Sequence, residues 1–365
     1  MQNNITNLEI SNFKSIKNIK MDCKRINVLI GRPNVGKSNI LEALSLFIAP
    51  YNGRKPFLKD YIRYEKISNL FYDDDRKNQV IVKTDIGSVA LRFHMNGINA
   101  YDFIVVPNAE TLDLMNGPDT GSTLDDKISF FQNLHLQGNF SGPIFPFYGS
   151  IDDNFYLNSL ATTFELSYRT PLKNYKFKTL TEHKNHFASF LAPPYGDNLF
   201  TVLEGNPELY NEIAAFFNKY DLDLVLKVKE EEIVVQKQVN RRVFHTPYFL
   251  SADTLQRIIF YLAAIKTNTN SILILEEPES HSFPPYISKI SEAVIESKDN
   301  QFFIATHSPY LLTPFITQCP LNEVAIFIVD YKDFQTTVRA LTDDEVQNLI
   351  DSEADLFTNL QAFQE

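Results

Sequence analysis

Cysteine is scarce in this 365-residue chain: Cys23 and Cys319 are its two thiols, with no CxxC and no Cys/His spacing that would hold zinc. That argues against a secreted disulfide framework and a zinc module, and a reducing, cytoplasmic setting is expected. Long hydrophobic runs are missing too. The longest, Ile258 to Ile265, falls far short of the ~20 residues a membrane-spanning helix needs, so no membrane partner is expected. The opening MQNNITNLEI has no basic stretch followed by an apolar one, and no secretion signal is expected. Positive charge is in deficit, with 34 Lys and Arg against 45 Asp and Glu and a net charge of −11. This balance argues against nucleic-acid binding over the whole surface and leaves only a local basic groove compatible with it. Internal repeats, low-complexity tracts and sustained heptads are absent as well, which argues against a coiled-coil tether.

What remains is an ordinary globular composition, 44% hydrophobic, long enough for one large domain or two smaller ones. A chain of this length buries roughly three-quarters of its unfolded surface and needs neither disulfide nor structural metal. Residues 5–30 alternate apolar and polar positions through Leu8, Ile10, Phe13 and then Ile26, Val28, Ile30, which predicts two strands joined by a polar turn. The second strand runs into Gly31, and Ser38 to Ala49 then carries Ile40, Leu41, Leu44, Phe47 and Ile48 at helical spacing. Short strands recur between residues 79 and 106, followed to about 160 by a loop-rich stretch crowded with aromatics. These aromatics suit core or protein contacts better than base stacking, because few Lys or Arg interleave with them. Further on, the pattern predicts a helix over 207–220, a hairpin over 222–235 with an acidic turn at Glu230–Glu232, and a helix over 254–266. Strand 271–275, helix 286–297 and strand 301–305 follow. Strand and helix alternate at both ends of the chain, so distant segments are expected to share one parallel sheet, giving an α/β fold.

Gly31-Arg32-Pro33-Asn34-Val35-Gly36-Lys37-Ser38 matches GxxxxGK[ST] between a strand and a helix. Glycines let successive backbone N–H groups curl around a phosphate at the positive end of a helix. Lys37 then neutralises the β- and γ-phosphates while the Ser38 hydroxyl ligates Mg²⁺. The motif leaves the base open. GRPNVGKS also resembles the first motif of Era-class GTPases, and Asn218-Lys219-Tyr220-Asp221 matches their NKxD sequence. However, NKxD there follows a buried strand, and here it follows helical spacing; no DxxG follows the loop at a suitable distance.

Ile272-Leu273-Ile274-Leu275-Glu276-Glu277 is an apolar strand ending in adjacent carboxylates, the arrangement that holds Mg²⁺ and polarises a water beside a γ-phosphate. Glu276 fits the metal-holding acid. Glu277 fits the general base, as a buried carboxylate near other negative charge. Ser251 leads into an apolar helix, and Ala305-Thr306-His307-Ser308-Pro309 ends the next strand.

In this order and spacing, the motifs resemble the ABC-type ATPases of the RecF, SMC and OLD-like group, a P-loop NTPase head with a β-rich N-terminal lobe. NFKSIKN, GKSNILEAL, EEPESH and THSPYLL are most similar to the OLD-like branch. The resemblance implies nucleotide and Mg²⁺ contacts from Gly31 through Asn39, including Arg32, Pro33, Asn34, Val35 and Gly36. It implies that Ser251 touches a γ-phosphate across a dimer and that His307 is the switch histidine, catalytic alongside Lys37 and Glu277. Two positions depart from the family. Asp253 stands where glycine is usual in the signature, and there it would cap the helix and compete with phosphate for the same amides. Phe283 replaces a second histidine. No Q-loop glutamine is placed.

The expected division is an ATPase head N-terminal lobe over 1–95, an inserted α+β region over 96–245, a C-terminal lobe over 246–320, and a hairpin and helix over 321–365. The last helix should open with the capping box Thr342–Glu345. OLD-like nucleases add a TOPRIM domain, and only residues 310–365 follow Pro309 here, so effector chemistry is expected on a separate nuclease or toxin. The resemblance implies ATP and Mg²⁺ as cofactors, a nucleotide-sandwiched homodimer or higher oligomer, and a sensing or regulating role in anti-phage defence. Two alternatives stay open: a RecF-like recombination ATPase that binds DNA, and a nucleotide-dependent scaffold with negligible turnover.

Overall fold

A computed structural model describes residues 3–51, 56–93, 101–107, 144, 146–151, 155–158, 170–184 and 189–352. The chain opens with three strands, β1 (Asn7–Phe13), β2 (Ile16–Asp22) and β3 (Ile26–Ile30), where the alternation predicted two. Ile16, Ile19 and Met21 are buried at uneven spacing, and this broken alternation hides β2 in the sequence. The phosphate-loop helix α1 (Lys37–Leu44) is shorter than its apolar pattern predicts. It tightens into a 3₁₀ segment over Ser45–Tyr51, which contains Pro50.

Strands β4 (Val80–Thr84), β5 (Gly87–Phe93), β6 (Tyr101–Val106), β7 (Phe147–Ile151) and β8 (Leu157–Asn158) complete an antiparallel seven-stranded sheet in the order β2-β1-β4-β5-β6-β7-β8. Then come β9 (Leu172–Tyr175), α2 (Leu199–Gly205), α3 (Pro207–Asn218), β10 (Asp223–Lys227), β11 (Glu232–Val239) and β12 (Arg242–Pro247). Residues 96–245 thus contribute to all three sheets found among the described residues. The aromatics of 108–143 and 159–169 lie outside the described residues, whereas Phe103 and Phe147 belong to the core.

The C-terminal part follows its pattern, with α6 as an unpredicted addition: α4 (Asp253–Thr267), β13 (Ile272–Glu276), α5 (Pro284–Glu296), β14 (Gln301–Ala305), α6 (Pro309–Gln318), β15 (Val324–Lys332), β16 (Gln335–Ala340) and α7 (Asp343–Ser352). The capping box forms, with Thr342 N donating to Glu345 Oε2 at 2.8 Å and Glu345 N donating to Thr342 Oγ1 at 3.2 Å.

The central sheet runs β16-β15-β3-β14-β13-β9, parallel throughout except for the edge strand β16. Its inner strands read INVLI, ILILE and QFFIA, near-continuous apolar runs, because both faces are covered. Leu29, Ile272, Ile274 and Phe303 face the antiparallel sheet and α1. Val28, Leu273, Leu275 and Phe302 face the helices from α2 onward. The parallel strands all end at the same edge, which brings Gly31, Glu276, Thr306 and Lys176 together. No helix among the described residues is long and apolar enough to cross a membrane.

Candidate nucleotide site

The fully buried strand β3 delivers the chain to Gly31, whose φ is 154°, and the loop re-enters a helix through Gly36, whose φ is 105°. A Cβ at Gly31 would lie 2.1 Å from the Val329 carbonyl oxygen of β15, and one at Gly36 would lie 2.1 Å from Thr336 Oγ1 of β16. Both glycines are therefore required by the loop conformation and by the C-terminal hairpin packed behind it. A hydrogen-bond chain fixes that backing: Asn39 Nδ2 donates to Ser15 Oγ (2.7 Å), Ser15 Oγ meets Thr336 Oγ1 (2.6 Å), and Thr336 Oγ1 donates to Val35 O (2.9 Å). Asn39 thus spends its amide bracing the loop. Arg32, Pro33 and Asn34 are exposed at the loop's crest, while Val35 is buried beneath it.

Lys37 is folded back into the loop, its Nζ donating to the carbonyls of Gly31 (2.8 Å) and Arg32 (2.9 Å). Burial pulls its ammonium down to about 8, against the attraction of Glu277 and Glu276. The lysine and the twin glutamates, more than two hundred residues apart in sequence, occupy one electrostatic site. The Ser38 hydroxyl stands half-buried at the start of α1.

Glu276 closes β13, with Arg63 Nη2 3.5 Å from its carboxylate. Arg63 also bonds through Nε to Glu42 Oε1 at 2.8 Å, and the buried Glu42 carboxylate takes Lys14 Nζ as well. Lys176 follows β9 immediately beside Glu276 in register and donates to Tyr61 O at 2.8 Å. Sequence reading missed this group. Lys14 and Glu42 lie within NFKSIKN and GKSNILEAL but were given no role there, Arg63 and Lys176 belong to no motif, and only the convergence of four chain segments makes them neighbours.

Glu277 has φ 44°, donates its N–H to Ala305 O at 2.9 Å, and accepts from Ser280 Oγ at 3.1 Å. His307 Nε2 lies 3.5 Å from its Oε1. The expected burial of Glu277 is corrected: its side chain is 46% exposed, because the left-handed turn lifts it off the strand end. The buried acid is Glu279, two residues on. Its Oε1 accepts from Thr306 Oγ1 (2.5 Å) and His307 N (2.9 Å), and burial raises its pKa. Glu279 thereby clamps the turn after β13 to the loop after β14 and sets the approach of His307 to Glu277. The imidazole of His307 is held below its usual pKa by burial first and by Lys37 second, so it is neutral at pH 7.

Ser251 precedes α4, with its Oγ donating to Tyr248 O at 2.7 Å and its carbonyl accepting from Gln256 Nε2 at 2.8 Å. The reading of Asp253 as a helix cap is corrected. Ala252 occupies the cap position, no side chain caps α4, and Asp253 turns to Arg257 Nε at 2.8 Å. The Arg257 guanidinium in turn sits 4.5 Å from the Phe177 ring centre. Thr254 Oγ1 donates to His281 O at 2.9 Å, which links this helix to the turn that carries Glu277. Phe283 is 61% exposed. The NKxD look-alike at 218–221 sits at the end of α3, among the helices, and not at a strand end as guanine recognition would need.

The donor set suits a hard divalent cation. The Ser38 hydroxyl and Glu276 carboxylate are oxygen ligands of the kind Mg²⁺ selects, and the Arg63 guanidinium now 3.5 Å from Glu276 would have to yield that carboxylate to the ion.

Residues 4–86 match the AAA ATPase domain family. An uncharacterized protein of Methanocaldococcus jannaschii is 33% identical over 89 residues, 22% of this chain and 41% of that protein. An ATP/GTP phosphatase of Helicobacter pylori is 32% identical over 93 residues, again 22% of this chain and 25% of that protein. The chain thus spans less than half the length of the curated relatives it matches. Two solved structures align over nearly all of it at a TM-score of 0.50. One is an Smc head bound to the C-terminal winged-helix domain of ScpA, 15% identical, covering 93% of this chain and 99% of that one. The other is the Smc head with an extended coiled coil bound to the C-terminal domain of ScpA from Pyrococcus furiosus, 13% identical, covering 96% and 99%. The fold is accordingly the α/β fold of an Smc head.

Proposed function

We propose that this chain binds ATP at the shared strand edge and hydrolyses it to ADP and phosphate, paired with a second copy, and that turnover regulates a separate effector. The observation that carries this reading is the meeting of Lys37, Glu276, Glu277 and His307 at one edge of one sheet. The loop N–H groups between Gly31 and Ser38 donate to the β-phosphate. Lys37 exchanges the two loop carbonyls for the β- and γ-phosphate oxygens, which regain for its ammonium the charge partner that burial denies it. Ser38 and Glu276 would hold Mg²⁺, which, when bound, neutralises charge on the phosphate oxygens. Glu277 accepts a proton from the attacking water. Neutral His307, aimed by Glu279, donates from Nε2 to the γ-phosphate or orients that water.

Ser251 and the uncapped start of α4 are offered to the nucleotide of a second copy, since the Ser251 bonds described above are local ones. The Asp253–Arg257 pair withdraws the carboxylate from those amides, which supports a phosphate contact there. Effector control in anti-phage defence rests on the resemblance of EEPESH and THSPYLL to the OLD-like group. Reading the neighbouring genes tests it: an adjacent nuclease or toxin gene is expected, and replication and recombination neighbours would favour a RecF-like role.

Glu277→Gln should bind Mg·ATP, lose phosphate release and accumulate as an ATP-bound dimer in light scattering. Equal steady-state release by the variant and the native chain would instead identify a scaffold with negligible turnover. A clear preference for GTP in a binding titration would overturn the adenine assignment.

A further inference from the structure

The three-stranded sheet β10-β11-β12 ends unevenly. Strand β10 begins at Asp223, opposite Gln236, whereas β11 and β12 continue past that pair through Lys237↔Phe244, Gln238↔Val243 and Val239↔Arg242. Residues 237–244 therefore form a two-stranded ribbon with no third strand among the described residues, projecting about 13 Å at 3.3 Å per residue. Every residue from Lys237 to Thr246 is exposed, including Val239 (40%), Val243 (50%) and Phe244 (53%). A free ribbon of this kind is marginally stable in water and exposes apolar surface without return, which marks a surface built for contact.

Its charge runs against that of the molecule. From Ile233 to Ala252 there is no Asp or Glu, in a chain with 45 of them, while Lys237, Arg241 and Arg242 cluster at the tip with His245 just below. Asn240 and Arg241 form the two-residue turn with φ 49° and 63°, so the tightest point of the hairpin places a cation where glycine would be easier. Because paired residues share a face, Lys237, Val239, Arg242 and Phe244 lie on one side. Gln236, Gln238, Val243 and His245 lie on the other, where His245 Nε2 and Gln236 Oε1 are 3.0 Å apart.

We infer that the 237–244 ribbon is a nucleic-acid contact, inserting into the major groove of duplex DNA with its tip cations against the phosphates. The major groove is about 12 Å wide and admits a two-stranded ribbon, whereas the deep, narrow major groove of A-form RNA does not. The net charge of −11 disfavours nonspecific DNA binding over the whole surface and favours a contact limited to a local basic projection. The inference is independent of the nucleotide chemistry, because none of these residues belongs to the phosphate site.

The test uses the full chain and a fluorescein-labelled 30-bp duplex, followed by anisotropy without nucleotide at several salt concentrations. Binding should weaken steeply with salt. The triple variant Lys237→Glu, Arg241→Glu, Arg242→Glu should bind at least tenfold more weakly, with unchanged circular dichroism and unchanged ATP binding. The neutral triple Gln variant should lower the log–log salt slope by about 2–3, one for each lost phosphate contact. An RNA duplex of the same sequence should bind more weakly than DNA. No binding at 50 mM salt, or binding that survives charge reversal, would overturn the inference. So would a fall in oligomeric mass of the reversed variant without any loss of DNA binding, which would assign the ribbon to an acidic second copy. Loss of ATP binding by the native chain would defeat the nucleotide reading and leave this one standing.

Discussion

At the scale of single residues, two side chains make the sharpest predictions. Gly36 combines a φ of 105° with a Cβ position 2.1 Å from Thr336 Oγ1. Gly36→Ala should therefore displace the loop and abolish binding of a fluorescent ATP analogue, with circular dichroism unchanged. Native-like affinity would mean the loop tolerates a different backbone path. Lys173 is buried with neutral partners, Asn268 Oδ1 at 2.5 Å and Ser271 Oγ at 3.0 Å, and burial lowers its ammonium to about 8 from 10.5. The unfolded chain keeps that proton to higher pH, so between about pH 8 and 10.5 the unfolded state binds more protons and stability rises with pH. Below that window the cost is present in full, on the order of 3 kcal/mol. The urea midpoint of the native chain should accordingly gain on that of Lys173→Met between pH 7.5 and 10, and a pH-independent gap would contradict this burial cost. The sequence displayed the chemistry of Lys37, Glu276, Glu277 and His307 because each follows a strand in a recognisable motif. It was silent on Lys173, which reads as a surface lysine until β9 is buried against β13.

At the scale of elements, the phosphate loop depends on a hairpin from the other end of the chain. Thr336 of β16 donates to Val35 O and meets Ser15, so Thr336→Val keeps the shape and removes the bracing. The expected result is a several-fold loss of nucleotide affinity, in keeping with about 1 kcal/mol per hydrogen bond, with little change in thermal midpoint. Unchanged affinity would show that packing alone holds the loop. Glu279 has the same bridging role between the turn after β13 and the loop after β14. Glu279→Gln should lower kcat while leaving KM for ATP nearly unchanged, because it disturbs the approach of His307 to Glu277 and not the phosphate cradle. Helices α3 to α5 and strands β13 and β14 were legible from periodicity to within about two residues, whereas the sequence reading did not mark α6. Strands β2, β9 and β12 were not: β2 has uneven burial, β9 buries Lys173 and Asn174, and β12 is exposed along its whole length.

At the scale of the whole molecule, one sheet serves two cores. Adjacent residues of β14, Phe302 and Phe303, are fully buried on opposite faces, one among the helices and the other against the antiparallel sheet and α1. Phe302→Ala and Phe303→Ala should each cost about 3–5 kcal/mol. Both should still unfold in a single transition, seen as coincident near- and far-ultraviolet dichroism curves, since neither layer keeps its floor without β14. Separated curves would show that the layers are independent. The amino-acid sequence alone determined the strand–loop–helix around Gly31–Ser38, the apolar strand ending in Glu276 and Glu277, and the strand–helix alternation of an α/β fold, because these depend on local periodicity and on residue types at fixed spacing. Only the tertiary structure decided that Thr336 backs Gly36, that Arg63 and Lys176 flank Glu276, that Glu277 is half-exposed, and that a basic ribbon projects from an acidic surface. Those facts arise from segments tens to hundreds of residues apart, whose meeting is set by strand order in the sheets and leaves no periodic trace along the chain.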